Sequence, residues 1–127
     1  MLKKYFFMIF VICAAIAVAG CAKRAAYSEM TAAQVLEIYE QENILLIDVR
    51  EEWEFREGRI PGAILLPLGK LDKNYQQLGT DAKIILVCRS GNRSGTAAKF
   101  LAEKGYKNVY NMVGGMLAWK GIVETGD

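Results

Sequence analysis

Histidine is missing altogether from the 127 residues. That absence removes nucleophile–imidazole pairs such as Cys–His or Ser–His, along with most zinc sites. Proline is scarce, present only as Pro61 and Pro67, and cysteine is limited to Cys13, Cys21 and Cys88. An excess of either charge is also lacking. The chain carries 16 Lys and Arg against 14 Asp and Glu, and two of the basic residues, Lys3 and Lys4, stand at its start. Beyond them the balance is 14 against 14 with no basic run, so no nucleic-acid partner is expected. Internal repeats and low-complexity tracts are absent, and the length suits one domain with at most a short appendage.

What is present begins with a segment that stands apart from the domain. After Lys3 and Lys4, Tyr5 to Gly20 runs for 16 residues without a charge and ends in small residues. A spanning helix needs roughly 20 apolar residues, so this pattern predicts a secretory signal peptide over 1–20. Val18-Ala19-Gly20-Cys21 resembles a bacterial lipobox, in which the cysteine is acylated and becomes the mature N-terminus. Two or more acyl chains, at about 0.8 kcal/mol per buried CH₂, hold a protein stably on a membrane. The expectation is an exported domain anchored to the cell envelope through Cys21, facing the periplasm where an outer membrane exists, with 21–28 as tether and 29–127 as domain. Cys13 then leaves with the signal and Cys21 carries lipid. Cys88 remains alone and has no intramolecular disulfide partner. It is either a buried apolar filler or a reactive thiol.

Along the domain, apolar periodicity switches repeatedly between strand and helix. Thr31 and Gln34 form a capping-box pattern ahead of the helix TAAQVLEIYEQ, which Glu42-Asn43 ends. Ile44 to Val49 is a continuous apolar run of the kind that is covered on both faces. Glu51 to Arg56 predicts one or two helical turns with Trp53 or Phe55 packed inward, and Ile60-Pro61-Gly62 is a turn signal. A short strand follows at Ala63 to Leu66, then a helix at Leu68 to Leu78. Ile84 to Val87 is a buried strand, Ser94 to Lys104 a helix ended by Gly105, and Val109 to Met112 a last strand. Gly114-Gly115 breaks the chain before a short closing helix, MLAWKG, whose Trp119 is a core aromatic. Strands alternating with helices predict a single α/β layer sandwich with a mainly parallel sheet.

In such sheets ligands gather at the carboxyl ends of the strands, and Cys88 lies at that end of its strand. Arg89, Ser90, Gly91 and Asn92 form a polar bend, and Arg93 and Ser94 lead into the helix. Strand, tight loop and helix start together aim backbone N–H groups and the positive end of a helix dipole at one point, which lowers the pKa of a thiol there. Cys88 is therefore the candidate nucleophile. Arg93 at the loop-to-helix junction is placed to hold an anion over the sulfur, with Arg89 as a second candidate. Either is equally readable as a solvated surface charge. Gly91 meets the needs of the tight backbone, while Ser90, Asn92 and Ser94 add donors or cap the helix. Asp48, Arg50, Glu51 and Glu54 read as a local salt-bridged bend rather than a paired-carboxylate site.

Together these segments resemble the rhodanese (sulfurtransferase) domain. DVREEWEFREGRIPGAILLP is similar to that family's first signature, CRSGNRS to its active-site loop and VGGMLAWKG to its C-terminal signature. The likeness covers Tyr27 to Gly121. Arg59 departs from it, standing where the family often has histidine, at a position belonging to the fold. The resemblance implies a five-stranded, mainly parallel sheet with helices on both faces. It also implies that Cys88 takes sulfane sulfur from an anionic donor such as thiosulfate and passes it to cyanide or a thiol, including that of a thioredoxin-like protein. Arg89, Ser90, Gly91, Asn92, Arg93 and Ser94 would bind substrate, and no cofactor or metal is required.

Two other readings remain. Phosphatases and arsenate reductases use related cysteine loops in which one further residue separates cysteine from arginine, whereas here only Arg89 to Asn92 intervene. A lipid-tethered binding module with a vestigial site is the non-catalytic reading.

Overall fold

A computed structural model describes residues 26–127. The expected signal segment, Cys13 and Cys21 lie outside the described residues. Five strands, β1 (Ser28–Thr31), β2 (Ile44–Asp48), β3 (Ile64–Leu65), β4 (Lys83–Val87) and β5 (Val109–Val113), form one sheet. Their order is β1-β5-β4-β2-β3, and every neighbouring pair is parallel. Strands β2 to β5 fall close to the apolar runs that predict them. Strand β1 does not, because Ser28-Glu29-Met30-Thr31 has no apolar run and is mostly exposed at the sheet edge. It exists through backbone pairing with β5, Ser28 beside Tyr110 and Thr31 beside Val113. Ser28, expected in the tether, is thus the first residue of the sheet.

The central strand β4 explains the layering. Successive side chains point to opposite faces of a strand. Ile84, Leu86 and Cys88 accordingly join one buried cluster with Ile47, Ala97, Ala98 and Leu101. Ile85 and Val87 join another with Leu46, Val35, Met112 and Trp119. The first cluster is covered by α4 (Asn92–Glu103) and the turn α3 (Leu71–Asn74), the second by α1 (Ala32–Ile38) and α5 (Gly115–Ala118). Both faces are covered, which is why these strands read as continuous apolar runs.

Helix α1 carries the expected capping box: Gln34 N–H donates to Thr31 Oγ1 at 3.1 Å, and Thr31 N–H donates to Gln34 Oε1 at 2.9 Å. It ends at Ile38, earlier than Glu42, because the Gln41 N–H turns back to the Ile38 carbonyl at 3.0 Å. Tyr39, just beyond, packs edge-on against Trp119 with ring centroids 5.3 Å apart.

Two further expectations are corrected. Leu68 to Leu78 is not one helix but a 3₁₀ turn (Leu68–Lys70), α3 and a second 3₁₀ turn (Tyr75–Gln77). The turns on either side of α3 are tight three-residue ones, with Lys70 N–H donating to the Pro67 carbonyl at 2.8 Å and Leu78 N–H to the Tyr75 carbonyl at 3.0 Å. In the helix α2 (Glu52–Glu57), Trp53 points outward, 63% exposed, and Phe55 is half-buried beneath the Arg59 guanidinium. The buried side chain of α2 is Glu54.

Leu86 is fully buried at the sheet centre. Leu86→Ala should cost about 2–5 kcal/mol of stability from lost transfer energy and the cavity left behind, read as a lower urea midpoint at unchanged slope.

Candidate active site

The strand alternation that buries Leu86 also sends the Cys88 side chain toward the α4 face, one residue beyond the end of β4. Gly91, at φ +97°, then turns the chain in the left-handed region that a side chain rarely adopts, and it lies against the backbone of Gly114 and Met112. Helix α4 consequently begins at Asn92, two residues earlier than the expected Ser94. Arg93 and Ser94 therefore occupy its first turn, where free N–H groups and the dipole favour negative charge. At the other end a Schellman arrangement closes α4: Tyr106 N–H reaches the Leu101 carbonyl and Gly105 N–H the Ala102 carbonyl, both at 3.1 Å.

Cys88 is fully buried beneath its loop and is the free cysteine among the described residues. Its Sγ accepts the Gly91 N–H at 3.1 Å and lies 3.3 Å from the Ser94 hydroxyl. Burial pushes the thiol pKa up. The Ser94 hydroxyl and the backbone N–H groups of Ser94, Ser90 and Gly91 outweigh that, and the net shift is downward. The loop's donors thus favour the thiolate over the thiol relative to an ordinary cysteine.

The loop backbone is clamped from the far end of the chain. Met116 N–H donates to the Cys88 carbonyl at 2.9 Å and Leu117 N–H to the Arg89 carbonyl at 3.1 Å. Gly115, at φ +56°, passes so close that a Cβ there would run into the Cys88 and Arg89 backbone. The Gly114-Gly115 pair, read from sequence as a turn, is therefore also part of the loop's support.

The two arginines divide their tasks in a way the sequence did not reveal. Arg93 Nη1 and Nη2 donate to Glu54 Oε2 and Oε1 at 2.7 and 2.8 Å, a bidentate pair spanning 39 residues. That hydrogen-bonded pairing holds the Glu54 carboxyl down at about 2 against burial, with help from the Glu51 N–H, and raises the Arg93 pKa. Glu54 is thus more than part of a local bend, because it ties α2 to the cysteine loop. The local bend itself is formed by Asp48 and Arg50, buried and paired at 2.7 Å, with Arg50 also donating to the Gly58 carbonyl. Arg89, Ser90 and Asn92 are exposed. Among the described residues the Arg89 guanidinium has no ion-pair partner, and with Trp53, Glu57, Met116, Leu117 and Val123 it borders a hollow of about 270 Å³ beside the loop.

Asn111, in the middle of β5, joins the site without having been a sequence candidate. Its Oδ1 accepts from Ser94 Oγ at 2.6 Å and its Nδ2 donates to the Gly91 carbonyl at 3.1 Å. The signal available was a lone amide interrupting the apolar run Val109–Val113.

Fold and loop define a class: parallel α/β domains that present one cysteine on a donor-lined loop at the carboxyl end of a strand. Residues 31–122 match the family described as the Rhodanese-like domain, and the chain belongs to that family. It is 43% identical over 91 residues to the Bacillus subtilis protein named "Putative sulfurtransferase YtwF", covering 72% of this chain and 87% of that one. It is 34% identical over 95 residues to "Thiosulfate sulfurtransferase GlpE" of Pseudoalteromonas translucida, covering 75% and 90%. Among solved structures, a rhodanese-related protein from Thermoplasma volcanium superposes with a TM-score of 0.72 at 31% identity, covering 77% of this chain and 98% of that one. The five-stranded parallel sheet with helices on both faces is the rhodanese-like fold, and its sulfurtransferase relatives support a rhodanese-type enzyme.

The Glu54–Arg93 pair makes stability pH-dependent with a definite sign. A carboxyl lowered from 4.5 to about 2 contributes stability that is complete above pH 4.5 and lost as pH falls through about 2. Urea unfolding across that window should show the loss, and Glu54→Gln should flatten it.

Proposed function

We propose that this domain is a sulfurtransferase that carries sulfane sulfur as a persulfide on Cys88. The observation that carries the reading is the Cys88 sulfur accepting the Gly91 N–H at 3.1 Å, at the carboxyl end of β4 and the start of α4. That setting favours a thiolate without a neighbouring base, consistent with a chain that has no histidine.

With thiosulfate as donor, the Cys88 thiolate attacks the outer sulfur and forms an S–S bond. The bond to the sulfonate sulfur breaks, and its electron pair leaves with sulfite. The persulfide that results carries the single negative charge the thiolate had. Cyanide or a second thiolate then attacks the terminal sulfur, the Cys88–sulfur bond breaks, and thiocyanate or a new persulfide departs as the Cys88 thiolate returns. Each stage places an anion within the same ring of N–H donors, so preorganised backbone dipoles serve throughout. Arg89, exposed and without an ion-pair partner beside the hollow, attracts the anionic donor, whereas Arg93 is held by Glu54 and acts mainly by fixing the loop. The exposed apolar side chains of Trp53 and Leu117 near that hollow suit a protein thiol, such as that of a thioredoxin-like acceptor, better than cyanide alone.

Incubation with thiosulfate should add the mass of one sulfur to the domain, and Cys88→Ser should abolish both that gain and thiocyanate formation. Release of phosphate from an aryl phosphate with no sulfur uptake from any sulfane donor would overturn the reading. We further infer that Cys21 is acylated and holds the domain at the cell envelope. In cells, Cys21→Ser should move the protein from the membrane to the soluble fraction, and unchanged membrane association would count against acylation.

A further inference from the structure

We infer that Asn111 is a positioning residue that competes with the Cys88 thiolate for the single hydrogen of the Ser94 hydroxyl, and so sets how readily the sulfur ionises. Three facts lead there. Ser94 Oγ lies 2.6 Å from Asn111 Oδ1 and 3.3 Å from Cys88 Sγ. The amide is oriented by its other end, because Nδ2 donates to the Gly91 carbonyl at 3.1 Å, where the opposite orientation would set two carbonyl oxygens against each other. Ser94 and Cys88 are completely buried, and Asn111 is nearly so, at the floor of a hollow shared with Tyr27 and Thr96.

A hydroxyl has one hydrogen and two lone pairs. When the hydrogen points to Asn111 Oδ1, Ser94 can only accept from Cys88, so that arrangement requires the neutral thiol with its S–H directed at Ser94. When Cys88 is a thiolate, no hydrogen lies between sulfur and oxygen unless Ser94 turns its own toward the sulfur. Asn111 Oδ1 then faces a bare hydroxyl oxygen at 2.6 Å, and that contact must lengthen. The Gly91 N–H and the start of α4 favour the thiolate, while Asn111 opposes it through Ser94. If Cys88 carries sulfur as proposed above, the persulfide moves the charge to the outer sulfur, and Ser94 can return its hydrogen to Asn111. Asn111 therefore disfavours only the bare thiolate, the state most open to oxidation.

Among the charged groups around the loop, Arg93 acts on Cys88 only through space, and Glu29 of β1 and Lys99 of α4 line the hollow beside Asn111. Arg93 of α4 is paired with Glu54 of α2, Arg50 and Asp48 at the end of β2 are paired with each other, and Arg89 is exposed. None hydrogen-bonds to Cys88, Ser94 or Asn111 among the described residues. Nor does removing the amide orphan the Gly91 carbonyl, which also accepts the Gly95 N–H at 3.1 Å.

The test is the ultraviolet titration of the Cys88 thiolate in Asn111→Leu, a substitution of similar volume, with and without Ser94→Ala. Freeing the Ser94 hydrogen should move the midpoint of Asn111→Leu downward, giving on the order of tenfold more thiolate at a pH below the original midpoint, the scale of a hydrogen bond to a charged group. In the Ser94→Ala background the same substitution should have no effect. An unchanged or raised midpoint while Ser94 is present would overturn the inference, leaving Asn111 as a support for the Gly91 carbonyl only. Asn111→Asp is the second variant, should Asn111→Leu fail to fold as judged by circular dichroism. Its carboxylate repels the thiolate directly and also strengthens the competing acceptor, so it should raise the midpoint more with Ser94 present than in the Ser94→Ala background, and an equal rise in both, or no rise, would equally overturn the idea. The titration reads the thiol alone, so its outcome is independent of whether sulfur transfer is demonstrated.

Discussion

The close passage of Gly115 across the Cys88 and Arg89 backbone is the constraint on which the site depends. A tight loop at the end of a strand exposes carbonyls as well as N–H groups, and a carbonyl turned inward would repel the anion the loop is meant to hold. Here the Cys88 and Arg89 carbonyls are drawn outward by the N–H groups of Met116 and Leu117. The loop's remaining N–H groups are left free to face the sulfur. Only a residue without a side chain permits this approach, so the last helix of the domain fixes the polarity of a loop some twenty-five positions upstream.

Charge is arranged to the same end. Two buried or half-buried ion pairs, Asp48–Arg50 and Glu54–Arg93, consume most of the formal charge near the sulfur. Paired with Glu54, Arg93 links α2 to α4, and the positive groups left unpaired at the loop are backbone dipoles and the exposed Arg89. Dipoles fixed in a buried loop need no reorganisation when negative charge forms on the sulfur they surround. They also act over short range, so discrimination rests on what can reach the buried sulfur rather than on long-range attraction.

Most of the fold was legible in the amino-acid sequence because β2, β4 and β5 are covered on both faces and are therefore mainly apolar. Strand β1 was hidden for the opposite reason: at a sheet edge its pairing is entirely backbone, and Ser28-Glu29-Met30-Thr31 carries no periodicity to betray it. At the site, Cys88, Gly91 and Ser94 were visible because the loop chemistry is contiguous in sequence. Glu54 and Asn111 were not, since each reaches the loop only through the sheet's order. Glu54 sat in a segment so rich in charge that no single carboxylate stood out, and the pair it makes is long-range. The helix expected over Leu68 to Leu78 failed because apolar spacing does not register the three-residue turns, Lys70 N–H to the Pro67 carbonyl and Leu78 N–H to the Tyr75 carbonyl, that flank α3.

Every strand in the sheet runs the same way, and the described chain enters it at the amino end of β1 while the cysteine loop caps the carboxyl ends. The domain therefore has a back and a front. If the proposed acylation at Cys21 holds the domain to a surface, the attachment reaches the sheet through the amino end of β1, away from the mouth around Arg89, Trp53 and Leu117. A leash attached at that end would leave the loop open to molecules arriving from the surrounding compartment rather than to those embedded in the surface itself.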